Sequence, residues 1–254
     1  MNNAVLDRIH QHASIRAYKP DPLPREWIET IVAAGQCAST SSNLQLYSAV
    51  AVTDQDKRNQ LAELCGGQKH VQEAPLFLAW CADLARLERV CTLRGYSLVS
   101  EYVENFLVAA CDTAIAAQTA ALAAESLGLG ICYIGSIRNH TQEVIELLAL
   151  PPLVFPITGM TVGWPARESH AHPRLPLEAV LHWEKYSRDQ DRALEEYDQT
   201  MRSTGFYRGR QVPVPGKPEI LEDYGWLEHS ARRASRADRT LLRQVLASQG
   251  FSLK

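Results

Sequence analysis

The stretch from Glu101 to Leu127, EYVENFLVAACDTAIAAQTAALAAESL, limits what this chain can fold into more than any other. It is long and apolar enough to suggest a membrane span. Glu104, Asn105, Asp112, Gln118 and Glu125 interrupt it, however, and charges at membrane depth are expensive. A long helix, buried on most sides, is the better reading. Its alanines favour the helix and keep it thin, so a second helix can approach closely. That profile suits a subunit interface as well as a core.

The elements expected around this helix interleave helix and strand. Residues 24–38 predict a helix with Pro24 in its first turn, because Trp27, Ile28, Ile31 and Val32 share one face. Residues 46–54 predict a strand, and 57–67 a short helix stopped by a Gly pair. The unbroken apolar run PLFLAWCAD, 75–83, predicts a central buried strand. GLGICYIG, 128–135, reads as a helix stop and a strand. Residues 141–150 read as a helix with Thr141 as N-cap, and 155–165 as a strand ended by Pro165. The fold class expected is α+β.

Beyond about residue 185 the chain turns polar, with Pro and Gly gathered at 213–218. Its last stretch reads as a basic amphipathic helix or pair of helices. The division expected is a core over 1–186 and a C-terminal helical extension over 187–254, packing on the core.

A length of 254 residues allows one large domain or two small ones. With 46% hydrophobic residues, 22% charged and a net charge of −3, the composition is that of a soluble globular protein. No nucleic-acid partner is indicated, since that usually calls for a net basic face. The six cysteines are scattered, without a C-x-x-C pair, and several sit in apolar runs. They read as reduced structural thiols. The amino terminus lacks the apolar stretch of a signal peptide. A cytoplasmic protein with no membrane partner is expected.

Nucleotide-binding glycine loops and the G-x-S-x-G elbow are absent from the sequence. His170 and His172 read as part of a polar loop, and no metal is expected. No carboxylate pair stands out as general acid and base. What remains is a series of polar islands at the ends of apolar elements. They are His12/Ser14/Arg16, Ser39–Gln45, Gly66–His70, Gly130–Ser136 and His172–Arg174.

Their order resembles the flavin-dependent nitroreductase superfamily, in the branch of NADPH-preferring, oxygen-insensitive nitroreductases and flavin reductases. The motifs are HASIR, STSSNLQ, GGQKH, AAESLGLGICYIGS, VGWP and HPRLP, over residues 8–186. The resemblance implies the nitroreductase fold, with a central mixed or antiparallel sheet flanked by helices. It also implies an intertwined homodimer with the long helix in its interface.

FMN is the implied cofactor, with NADPH, or NADH, as cosubstrate. His12 and Ser14, joined by Arg174, would reach the FMN phosphate, which wants cationic and hydroxyl partners. Arg16 would lie nearer the ribityl chain and the O2 edge of the ring, where its charge tunes the cofactor. Gln68 would meet the pyrimidine edge, and the backbone amides of Ile134 and Gly135 would point at N5 and O4. Ser39, Ser41 and Asn43 would contact the flavin across the dimer interface. Ala13, Ile15, Tyr133, Ser136 and His172 complete the implied cofactor-binding set, and Arg208 and Arg239 are the NADPH candidates.

Three positions depart from the family pattern: Ala13 stands for Arg, Ser136 for Gly and His172 for Lys. The segment 207–226 is longer than its counterpart. The implied activity is ping-pong, two-electron hydride transfer through flavin N5, with no catalytic side chain. Small molecules such as nitroaromatics, quinones, flavins or chromate would be the acceptors. The alternatives are a dedicated free-flavin reductase and a non-catalytic FMN-binding protein.

Overall fold

The apolar run at 76–83 becomes the centre of the sheet. In the computed structural model, which describes residues 3–214 and 216–254, strand β2 (Leu76–Asp83) is buried at every residue. It lies between β1 (Tyr47–Val52) and β4 (Val154–Gly163), and β3 (Gly130–Ile134) forms the far edge beside β4. All three pairings are antiparallel, which narrows the expected mixed or antiparallel sheet.

Both faces of β2 are apolar because both are covered. Leu76, Leu78 and Trp80 pack with helices α2 (Arg25–Gln36) and α6 (Val103–Ser126), against Ile28, Ile31 and the alanines 116, 117, 120 and 121. Phe77, Ala79 and Cys81 face the other way. They meet Leu61 and Ala62 of α3 (Gln55–Leu64) and Val144 of α7 (Thr141–Leu147). The thin profile of α6 serves α2 directly, since a Cβ on Gly35 would lie 3.0 Å from the Ala116 carbonyl oxygen.

Helix α6 is long and apolar enough to cross a membrane by length and composition. It instead buries one side against the sheet, Asp112 and Glu125 included. The other side is exposed rather than buried, with Val103, Leu107 and Ile115 projecting outward.

Several elements carry little sequence signal. They are α1 (Ala4–His10), α4 (Lys69–Glu73), α5 (Ala85–Arg94), α8 (Asp191–Ser203) and the hairpin of β5 (Gln211–Val214) and β6 (Lys217–Asp223). The basic carboxyl-terminal stretch forms two helices, α9 (Trp226–Ala234) and α10 (Leu242–Ser248). Thr141 is the first residue of α7 and not its N-cap. Its hydroxyl donates to the Arg138 carbonyl at 3.0 Å, closing the turn before the helix.

The chain divides into two compact units, 1–171 with 239–254, and 172–238. The division expected from sequence lies at 186/187. In the larger unit the last residues are part of the core: Phe251 is fully buried, with edge contacts to Phe106 and Phe155. The smaller unit carries a hairpin as well as helices. Its own core is Tyr197, Met201 and Tyr207, and its Asp198 accepts hydrogen bonds from the Leu227 amide and Arg202 Nε.

Candidate functional site

The HASIR segment lies along β3. The Ile15 amide donates to the Ile131 carbonyl at 2.8 Å, and Tyr18 bridges Pro165. Ile15 is buried over Gly130, where a Cβ would come 2.7 Å from Ile15 Cβ and 2.9 Å from Cγ2. Alternation along the segment then sends Ser14 and Arg16 to the opposite side. The Cys132 thiol lies close by; burial pushes it above its ordinary pKa, and the charge of Arg16 draws it back.

Arg16 is exposed and has no carboxylate partner among the described residues. Its charge also reaches His70. Burial first, and Arg16 second, hold that imidazole below its usual pKa. His70 Nε2 is buried without a hydrogen-bond partner among the described residues.

His12 is held from behind. Its Nδ1 lies 2.5 Å from Oε1 of Glu125, whose side chain is buried near the end of α6. With Nδ1 engaged, Nε2 is the nitrogen left for a ligand. Ala13 borders a cavity of about 160 Å³ that Glu125, Arg8 and Gln11 also line. The arginine expected there from the family pattern would have this space to fill.

The GGQKH turn meets the end of β3. Gly66 and Gly67 take the left-handed conformation, and the Gln68 amide nitrogen donates to the Cys65 carbonyl and, at 2.6 Å, to Ser136 Oγ. Gln68 Oε1 is therefore the end of the amide left to face a ligand. Ser136 thus anchors a candidate flavin residue, a role glycine could not fill. Beneath them, burial pushes the Cys65 thiol up to about 12. Ile134 ends β3, and Gly135 opens the single 3-10 turn Gly135–Arg138. Amides at the start of such a turn have no acceptor within it. The Tyr133 hydroxyl donates to Gln118 Oε1 of α6, and burial raises its pKa.

Ser39, Ser41 and Asn43 are exposed on the loop after α2. The loop is gripped by Asp112 of α6, which is 2% exposed. Its Oδ1 accepts from the Ser41 amide at 2.9 Å and its Oδ2 from the Leu46 amide at 3.2 Å.

Ser14, Arg16, Gln68 and Ser136 thus gather around the carboxyl end of β3 and the GGQKH turn, with His12 anchored to α6. His172 and Arg174 belong to the smaller unit, where Arg174 Nη1 donates to the His172 carbonyl at 2.8 Å. Arg208 is in the smaller unit as well, and Arg239 in the larger. Arg239 Nε donates to Asn139 Oδ1 at 3.1 Å, beside a cavity of about 410 Å³ that Arg138 and Thr141 also line. Sequence reasoning missed the anchoring carboxylates, Asp112 and Glu125. Their one signal is a charge inside an otherwise apolar helix.

An antiparallel sheet covered on both faces, with an extended amino-terminal segment that carries Arg16 lying beside β3, defines an α+β protein. The chain belongs to the nitroreductase family. The Nitroreductase family pattern matches residues 9–164, and that of the Nitroreductase family C-terminal domain matches 172–254.

The chain is 38% identical to the FMN reductase (NADPH) of Bacillus subtilis, over 99% of each chain. It is 36% identical to the oxygen-insensitive NADPH nitroreductase of Salmonella typhimurium, over 98% of this chain and 99% of the other. The structure of the NADPH:FMN oxidoreductase from Vibrio harveyi complexed with NAD+ superposes with a TM-score of 0.87. It shares 34% identity, with 99% of this chain and 100% of that one covered.

Proposed function

We propose that this protein is an FMN-dependent NAD(P)H oxidoreductase, preferring NADPH, that reduces small-molecule acceptors such as nitroaromatics, quinones or flavins. The observation that carries the reading is the cluster at β3. Arg16 stands exposed without a carboxylate partner among the described residues, and the Gln68 amide is fixed with its oxygen turned away from Ser136. Uncompensated positive charge beside hydroxyl and amide groups fits an anionic phosphate and a hydrogen-bonding ring edge. The FMN reductase (NADPH) and NADPH nitroreductase relatives support the same assignment.

His12, Ser14 and Arg174 would hold the phosphate, and Arg16 and Gln68 the ribityl and pyrimidine parts. Ile134 and Gly135 would offer backbone amides, with Ala13, Ile15, Tyr133, Ser136 and His172 lining the site. Bound there, FMN supplies reversible two-electron hydride chemistry between a nicotinamide nucleotide and the acceptor. The protein's part is to orient: Glu125 fixes the His12 ring and Ser136 fixes Gln68. Arg208 and Arg239 are assigned to the 2′-phosphate of NADPH.

The working unit in this reading is a homodimer. Val103, Leu107, Cys111 and Ile115 recur at helical spacing on the exposed side of α6, Leu107 at 55% and Ile115 at 46% exposure. An exposed apolar stripe of this kind marks a protein contact. Ser39, Ser41 and Asn43 would then complete the partner subunit's flavin site.

Purified protein should be yellow, bleach on NADPH and recover its colour when a nitroaromatic or quinone is added. A protein that takes up no FMN would overturn the assignment. Equal kcat/KM for NADPH and NADH would remove the coenzyme preference, and Arg208→Ala and Arg239→Ala are expected to erode it.

A further inference from the structure

We propose that Asp112 is a positioning residue for flavin binding that acts across the dimer, shaping the loop one subunit presents to its partner's site. The inference rests on the FMN-binding homodimer reading above.

A carboxylate in the middle of an apolar helix is unfavourable unless its oxygens are satisfied. Asp112 is satisfied by two backbone amides at the two ends of one short arc, Ser41 and Leu46. Within that arc Ser42, Asn43 and Gln45 have φ of 49°, 56° and 54°. Three non-glycine residues in the left-handed region within four positions form a strained shape. No glycine in STSSNLQ makes it easy. The shape is therefore imposed from outside, and Asp112 grips both ends of it.

The clamp's placement gives it a consequence. Cys111 and Ile115, on the exposed stripe of α6, lie one and three residues from Asp112 on the same helix. The loop held by Asp112 carries its polar side chains, Ser39, Ser41 and Asn43, in solvent. One helix thus offers both the contact surface and the handle that sets the loop.

Asp112→Asn keeps the size but can accept at only one atom, and should weaken FMN binding to the apoprotein by about 10- to 100-fold. The kcat at saturating FMN should stay close to native, because the group touches no reacting atom. The decisive measurement is a mixed dimer of one Asp112→Asn subunit and one Arg16→Ala subunit. If Asp112 acts across the interface, one site receives a native clamp and a native loop. Half the sites should then bind FMN with native affinity, although both parent homodimers bind weakly.

A mixed dimer with no native-affinity site would overturn the proposal, and so would Asp112→Asn homodimers that bind FMN normally. Ser42→Gly, which admits the left-handed conformation without strain, should restore part of the affinity lost in Asp112→Asn. No restoration would mean that Asp112 does not set the loop. If Asp112→Asn does not fold, the native holoprotein still decides. The Ser41 and Leu46 amides should exchange slowly with deuterium, and rapid exchange there would overturn the clamp. A native chain that binds no FMN would instead remove the functional reading itself.

Discussion

At residue 130 a hydrogen in place of a methyl group lets the extended amino-terminal segment lie against β3. Gly130→Ala would drive the new methyl into Ile15, whose amide is bonded to Ile131. The segment would have to lift, carrying Ser14 and Arg16 with it. Overpacking of this sort costs about 1–3 kcal/mol. Urea unfolding should show that loss together with weaker FMN binding, and a variant with native stability and affinity would contradict the placement.

The thiols behind the site give a pH signature. Burial pushes Cys65 and Cys81 up to about 12, from an ordinary value of 9.0. In the unfolded chain they shed protons as pH rises through 9, while the folded chain keeps them. Stability is therefore full below pH 9 and falls between pH 9 and about 12. Going from pH 8 to pH 10 should cost about 1.4 kcal/mol per thiol in urea unfolding. Cys65→Ala should make that loss smaller, and an unchanged slope would refute the account.

At the scale of elements, α6 does two jobs on two faces. Its alanines meet α2 and the sheet, and its stripe of Val103, Leu107, Cys111 and Ile115 is exposed. Leu107→Asp or Ile115→Asp would place a charge in the proposed interface, which is strongly unfavourable without a partner. Sedimentation should then show monomers, and FMN affinity should fall with dimerisation. A monomeric native chain, or a dimer that survives both substitutions, would reject this interface.

The same contrast explains what could be read in the sequence. Strand β2 was legible because both its faces are covered, which leaves an unbroken apolar run. Helices α1 and α5 were not, because neither buries a residue and so neither has a core-facing stripe. Hairpin β5–β6 lies in a Pro- and Gly-rich stretch, and six of the seven residues of β6 are exposed. In the candidate site, the motifs name His12, Ser14, Arg16 and Gln68. Their supports were hidden, because His12–Glu125 and Ser41–Asp112 join residues 113 and 71 positions apart. No local pattern encodes such pairs.

Considered as a whole, the molecule returns its last residues to the unit that opens the chain. The Val103 amide donates to the Lys254 carbonyl and the Lys254 amide to that of Glu101, so the carboxyl terminus is tied to the start of α6. Leu153 is bonded to Gln249, and Phe251 fills the space between Phe106 and Phe155. Phe251→Ala would leave a cavity between the Phe106 and Phe155 rings and should cost about 3–5 kcal/mol. The loss should be local to the larger unit, because the smaller one has its own core at Tyr197, Met201 and Tyr207. Hydrogen exchange read by mass spectrometry can separate the two. Peptides from β2 and β4 should lose protection in Phe251→Ala, while those from α8 keep theirs. Equal loss in both units would show that they unfold as one, and no loss in either would show that residues 239–254 are not part of the larger unit's core.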